Sequence, residues 1–193
     1  KQNLDQKSSK HYRYLVFIGR FQPFHAGHKA VIDEALKRSD EVIMLIGSAN
    51  LPRSLRNPFS VAERAAMIKG AYSEEEAARI HCVGLDDALY NDTRWLQYVQ
   101  AGVKSVTGDL QTDIGLIGHS KDSSSYYLSL FPNWDSVSVP NYHNLSATPI
   151  RDSYLMGATP TPERTPESTR KVLNEFKKTE AYQQLHEEAD FID

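Results

Sequence analysis

Short apolar runs alternate with amphipathic helical patterns along this chain, and that alternation limits its fold more than any other feature. The run YRYLVFIG (12–19) has almost no polar interruption, the pattern of a strand buried on both faces. In HKAVIDEALKRSD, which follows, Val31, Ile32, Ala35 and Leu36 fall on one helical face. EVIMLIGS is the next strand, and SVAERAAMIKGAY predicts a helix with Ser60 and Glu63 spaced as a capping box. RIHCVGL is a third, weaker strand. DTRWLQYVQAGVKSVTG then places Trp95, Val99, Val103 and Val106 at helical spacing, and DIGLIG and SVSVP complete the series. Such alternation with short connections predicts an α/β fold: an open parallel sheet of five or six strands, with helices on both faces and right-handed crossovers. Ligands in such sheets bind beyond the carboxyl ends of the strands.

Length and charge narrow the classes of partner. The 193 residues suffice for one well-packed domain and a tail. The reading is a flexible segment over 1–11, a domain over 12–157, and a proline-rich loop with a helical tail over 158–193. That tail either packs on the domain or leads to a domain missing here. In it, GATPTPERTP offers Thr165 as a cap and Pro166 for a first helical turn, ahead of one or two surface helices. A net charge of −3 without a basic block argues against a nucleic-acid or membrane-surface binder, so any anion site must be assembled locally. The single cysteine, Cys82, excludes an internal disulfide and a multi-cysteine zinc site, and fits a reducing compartment. With no apolar run near the roughly 20 residues of a membrane helix, and a polar start, the expectation is a soluble cytoplasmic protein. A homo-oligomer stays open.

The chemistry concentrates where the first strand ends, in VFIGRFQPFHAGH (16–28). A helix beginning near His25 or Ala26 is expected to offer unpaired backbone N–H groups and a positive dipole end, a natural phosphate site. Gly19 and Gly27 let a ligand approach the backbone closely. His25 and His28, three residues apart, occupy neighbouring helical positions from which both imidazoles can donate to one phosphate, and Arg20 adds a positive fork. The same pair also reads as a cap and a surface residue. Metal ligation is disfavoured, because no carboxylate or third histidine stands at a suggestive spacing. A second anion corner is written in LSATPIR (145–151), where Thr148 is placed to cap a helix whose first position is Pro149, leaving Ser146 and Arg151 at its N-terminus. Lys121 and Asp122 follow a strand end and either face the cleft or belong to a solvated loop. By spacing alone Trp95 is a core residue.

GRFQPFHAGH resembles the signature of the H-x-G-H nucleotidyltransferase superfamily, in the version carried by nicotinamide mononucleotide adenylyltransferases of archaeal type and by bifunctional adenylyltransferase/Nudix enzymes. Four further segments match that family in order: IGSANLPRSLRNPFSVAER, LYNDTRW, GHSKDSSSYYLSLFPNW and LSATPIR. The resemblance implies a Rossmann-like domain that transfers an adenylyl group from ATP to nicotinamide mononucleotide, with magnesium carried by the ATP phosphates. It implies catalytic roles for His25, His28, Arg20 and Arg151. ATP would be held by Gly19, Arg20, Phe21, His25, Gly27, His28, Arg56, Ser146, Thr148 and Arg151. The mononucleotide would be held by Asp87, Asn91, Lys121 and Trp95, the tryptophan against the pyridine ring. Rival readings are another acceptor on the same scaffold, such as nicotinic acid mononucleotide, phosphopantetheine or an alcohol phosphate, and a non-catalytic nucleotide sensor. The glutamate-rich box of a Nudix domain is not found in the sequence.

Overall fold

The run 12–19 is a strand over its whole length in the computed structural model, which describes residues 10–110, 112–119, 131, 134–140 and 145–192. In chain order the elements are β1 (Tyr12–Gly19), α1 (Ala26–Arg38), β2 (Ser39–Ile46), α2 (Val61–Lys69), a single turn α3 (Glu74–Ala77), β3 (Ile80–Gly84), α4 (Asp92–Thr107), β4 (Ile114–His119), β5 (Asp135–Val139), α5 (Ala147–Leu155), α6 (Glu167–Phe176) and α7 (Glu180–Ile192). The five strands are all parallel, in the order β3-β2-β1-β4-β5.

Alternate residues of each central strand feed opposite faces, as the two-residue period requires. Leu15, Phe17, Val42, Met44 and Ile46 point into a core shared with Val31, Ile32 and Leu36 of α1 and Met67 and Ile68 of α2. Tyr14, Val16, Ile43, Leu45, Ile114 and Leu116 point the other way, against Val99 and Val103 of α4. This two-sided burial explains why the strands read as continuous apolar runs. The order reverses beside β1: β2 and β3 lie on one side of it, β4 and β5 on the other. A crevice therefore opens beyond the carboxyl ends of β1 and β4.

Two boundaries differ from the sequence reading. Pro166 is the N-cap of α6, and Thr165 instead donates its hydroxyl to the Thr161 carbonyl at 2.9 Å. The tail helices each keep an exposed outer face and set the other against the domain. Leu173, Phe176, Tyr182 and Leu185 are buried in the same core as the sheet, the Tyr154 hydroxyl donates to the Leu173 carbonyl at 2.6 Å, and the Tyr182 hydroxyl donates to the Tyr154 carbonyl at 3.0 Å. Among the described residues no helix is long and apolar enough to cross a membrane.

Candidate active site

The chain leaves β1 at Gly19 and enters α1 through His25, whose extended backbone makes it the N-cap. Its Nδ1 accepts from the Gly27 N–H at 3.0 Å and, at longer range, from the His28 N–H at 3.4 Å. His28 returns the bond: its Nδ1 accepts from the His25 N–H at 3.1 Å. The result is a capping box built from two imidazoles, where serine or threonine with glutamate is the usual pair. A nitrogen that accepts a main-chain N–H carries no proton, so the proton of each neutral ring resides on Nε2. The rings stack with centroids 3.6 Å apart, and His28 lies among Phe17, Phe21 and Phe24. Burial, reinforced by nearby His119, pushes His25 down to about 4. Burial, with His25 and His119, holds His28 well below the ordinary histidine value. Both rings are therefore neutral Nε2–H donors at pH 7.

This geometry corrects two readings of the motif. The first-turn amides of α1 are not free: Ala26 N–H donates to the Arg164 carbonyl at 2.8 Å, Gly27 and His28 donate to the His25 ring, and Lys29 donates to the His25 carbonyl at 3.0 Å. What the corner offers an anion is the imidazole pair and the dipole end, not loose backbone donors. Nor is the room left by the glycines ligand space. A Cβ on Gly27 would lie 2.8 Å from His25 Cε1, and one on Gly19 would lie 2.8 Å from Phe21 Cζ. Each glycine clears the way for one of the protein's own rings. Phe21, with φ of 53° and 1% exposure, turns its ring inward as part of the wall around His28, so its side chain does not face the cleft.

The second corner also stands differently from its reading. Ser146, not Thr148, is the N-cap of α5, accepting from the Thr148 N–H at 3.4 Å. Pro149 is the third helical residue, where its missing N–H costs nothing because the first turn has no internal acceptor for it. Arg151, 8% exposed, reaches back to donate Nη1 to the Gln22 carbonyl at 2.8 Å, tying α5 to the loop after β1. Its Nε is buried without a hydrogen-bond partner. Arg20 is exposed and donates Nη2 to the Arg56 carbonyl at 2.8 Å. Burial first, then the charges of Arg20 and Arg56, pull the Arg151 pKa below its ordinary value. Three guanidiniums thus share one neighbourhood, an arrangement that waits for an anion. The two corners adjoin: Leu145, just before the Ser146 cap, comes within 3.5 Å of where a Gly27 Cβ would stand.

Beside Arg20 lies a cleft of about 350 Å³, walled by Gly19, Arg20, Ser48, Asp87, Tyr90 and Trp95 among others. Trp95 packs against the α4 side of the core, as its spacing predicts, and also lines this cleft. Asp87 is held by the Ser48 hydroxyl at 2.9 Å. Asn91 is exposed and serves as the N-cap of α4, its Oδ1 accepting from the Arg94 N–H at 2.9 Å; its neighbours Tyr90 and Asp92 line the cleft instead. Lys121 and Asp122 lie outside the described residues.

Three residues that the sequence reading passed over belong to this architecture. Gln22, 1% exposed, bonds through its side chain to the main chain of Phe59, accepting and donating at 3.1 Å, and to Asn57. It fastens the loop after β1 to the NPF segment. Arg64, also 1% exposed, grips the ends of β1 and β2. His119 closes β4 beside the imidazole pair, with its Nδ1 buried and unpartnered. An amide lodged between two phenylalanines in FQPF was the only local signal for any of them.

Residues 16–153 match the model of the cytidylyltransferase-like family. Over 175 residues the chain is 45% identical to the nicotinamide/nicotinic acid mononucleotide adenylyltransferase of Acinetobacter baylyi, covering 90% of this chain and 92% of that protein. The crystal structure of a bifunctional NMN adenylyltransferase/ADP ribose pyrophosphatase from Francisella tularensis superposes with a TM-score of 0.84 at 34% identity. It covers 94% of this chain, which in turn spans 54% of that one. The same Francisella protein complexed with AMP and a manganese ion gives a TM-score of 0.81 at 33% identity. With the parallel sheet, the imidazole pair at the end of β1 and the arginines around it, these matches assign the chain to the cytidylyltransferase-like nucleotidyltransferases, in the nicotinamide-nucleotide adenylyltransferase family.

Proposed function

We propose that this enzyme joins ATP and nicotinamide mononucleotide into NAD, releasing pyrophosphate. One observation carries the reading: two neutral imidazoles, each fixed with its proton on Nε2, stand beside three guanidiniums at the crevice where the strand order reverses. A 5′-phosphate oxygen of the mononucleotide attacks the α-phosphorus of ATP. A new P–O bond forms, the bond to the bridging oxygen breaks, and pyrophosphate leaves with the electron pair. A phosphate dianion is already a nucleophile, so the protein's task is to align two anions and offset the charge that builds on the α-phosphate and the leaving group.

His25 and His28 donate Nε2–H to the α- and β-phosphate region, and Arg20, Arg56 and Arg151 hold the triphosphate. Gly19, Gly27 and Phe21 shape this corner through the rings they admit or supply, and Ser146 and Thr148 present the start of α5. Trp95 and Asp87 receive the mononucleotide in the cleft beside Arg20. Magnesium enters on the triphosphate, completed by phosphate oxygens and water. The complex of the Francisella protein with AMP and a manganese ion supports the involvement of a divalent cation. Among the described residues no cluster of three or more histidine, cysteine or carboxylate side chains gathers to hold one. The setting proposed is the cytoplasm, and a single cysteine requires no oxidising compartment.

Nicotinic acid mononucleotide is a second acceptor to test, since the Acinetobacter relative is a nicotinamide/nicotinic acid mononucleotide adenylyltransferase. The experiment supplies ATP, magnesium and either mononucleotide, and quantifies dinucleotide and pyrophosphate. His28→Ala, checked for folding by circular dichroism, is expected to lose about 10²–10³ in kcat, the usual cost of one preorganised donor. Wild-type turnover by a folded His28→Ala enzyme would refute the assignment.

A further inference from the structure

Arg64 stands out because a guanidinium at 1% exposure normally meets a carboxylate. Here its hydrogen bonds run to main-chain carbonyls. Nη1 donates to Arg20 at 2.8 Å and to Gly47 at 2.6 Å, and Nε donates to Ser60 at 3.2 Å. Two carboxylates near enough to influence its charge are engaged elsewhere. Glu63 pairs with Arg53 at 2.6 Å and caps the Ser60 N–H at 2.8 Å, and Asp87 accepts from Ser48 at 2.9 Å. Burial, with Arg20 close by, lowers the Arg64 pKa to about 10, which leaves it charged at neutral pH.

The carbonyls it holds are not arbitrary. Arg20 and Gly47 directly follow β1 and β2, neighbouring strands whose ends are also joined by the Gly47 N–H to the Gly19 carbonyl at 2.8 Å. Arg20 is thereby fixed at both ends: its main chain by Arg64, its guanidinium by the Arg56 carbonyl. Gly47 and Ser48 are wall residues of the cleft. An apolar side chain of similar length would fill the same space without the desolvation cost of an unpaired buried charge. The compensation lies in what the charge sits beneath, the strand ends where the triphosphate is to bind.

We infer that Arg64 is a positioning residue for the transfer: it sets the main chain at the ends of β1 and β2 so that Arg20 meets ATP in register with the cleft wall that receives the mononucleotide, and it adds a buried positive charge under the phosphates. This rests on the function proposed above. The test compares wild type, R64K and R64M by thermal melting, by kcat and KM for each substrate well below the melting temperature, and by the ATP Kd from calorimetry without mononucleotide. R64K keeps the charge and a nitrogen that can donate to more than one carbonyl, but loses the rigid guanidinium plane that sets Nη1 on the Arg20 and Gly47 carbonyls while Nε holds Ser60. It is expected to fall about tenfold in kcat/KM for ATP, and R64M about 10² or more, with ATP affinity weakening in the same order. If Arg64 serves stability alone, both variants melt earlier while kcat/KM and Kd stay within twofold of wild type, and the inference is overturned. It is equally overturned if neither variant folds. Should wild type make no dinucleotide, the functional reading fails, and the ATP affinities still decide the place of Arg64.

Discussion

Gly27→Ala is a sharp test of the imidazole capping box, because the structure predicts opposite behaviour for stability and turnover. An alanine Cβ would lie 2.8 Å from His25 Cε1 and 3.0 Å from its Nδ1, closer than side chains tolerate. The ring cannot yield toward His28, which already stacks on it at 3.6 Å, so it must swing out and give up the Gly27 and His28 amides. Losing an N-cap costs about 1 kcal/mol. Replacing glycine by alanine within a helix returns up to about 1 kcal/mol, and less in the first turn, where Gly27 sits. The two nearly cancel. For a chain of 193 residues the melting temperature should then move by no more than about 4 °C. Turnover has no such compensation. A displaced His25 removes one oriented Nε2–H donor and frees the ring to change tautomer, which should cost about 10²–10³ in kcat. The assay is calorimetric melting beside initial rates of dinucleotide formation at saturating substrates. A Gly27→Ala enzyme that turns over at the wild-type rate would show that the capping geometry is not the catalytic geometry, and the role given to His25 would fall with it.

Acid should destabilise the protein partly through the same ring. Folded His25 titrates near 4 and the unfolded chain near 6.5, so the unfolded state takes up the proton first. The contribution is intact above pH 6.5 and is lost as pH falls toward 4, about 3 kcal/mol in all. Urea midpoints from pH 7 to 4.5 should drop more steeply for wild type than for His25→Asn, which keeps a cap without the titrating ring; parallel curves would contradict this. Trp95→Ala should raise KM for the mononucleotide about tenfold, the value of one aromatic contact with a cation, while KM for ATP stays within twofold. Equal effects on both substrates would remove Trp95 from the pyridine site. Tyr154→Phe removes one of two donors to the buried Leu173 carbonyl, which keeps the Lys177 N–H at 3.0 Å, and should cost about 1 kcal/mol of stability with kcat unchanged. A fall in kcat would mean that the tail helices reach the chemistry.

The sheet was legible because burial on both faces writes itself into composition: Leu15 to Ile18 and Val42 to Ile46 have no polar position to spare. Helix faces were legible where spacing alone decides, as at Val99 and Val103, and so was the Ser60–Glu63 box, made of ordinary capping residues. The tail was left between two readings because Leu173 with Phe176, and Tyr182 with Leu185, form narrow stripes that look the same whether a helix rests on water or on a core. Arg64, Gln22 and His119 were missed for a different reason. Their partners are main-chain atoms or rings far along the chain, such as Gly47 for Arg64 and Phe59 for Gln22, and the identity of those distant residues carries no trace of the bond.

The spacing in HAGH is a property of helix starts before it is a property of phosphate sites. A reciprocal cap joins the N-cap to the third helical residue, which fixes the interval at three. A ring folded back onto the amides covers the second residue, which is why glycine stands there. Aspartate at position 25 would cap as well but has no donor to present, and serine has only the O–H on the very oxygen that is engaged in the cap. Imidazole has two nitrogens, and engaging Nδ1 in the cap settles that the proton is on the other. The same pair of hydrogen bonds that starts α1 therefore also sets the tautomer and orientation of the groups proposed to meet the α-phosphate, while burial keeps them neutral. On the proposed mechanism, folding energy and catalytic preorganisation are, at this corner, one set of contacts. A substitution that spares the cap while removing Nε2, such as His25→Asn, should accordingly separate a stable protein from an active one.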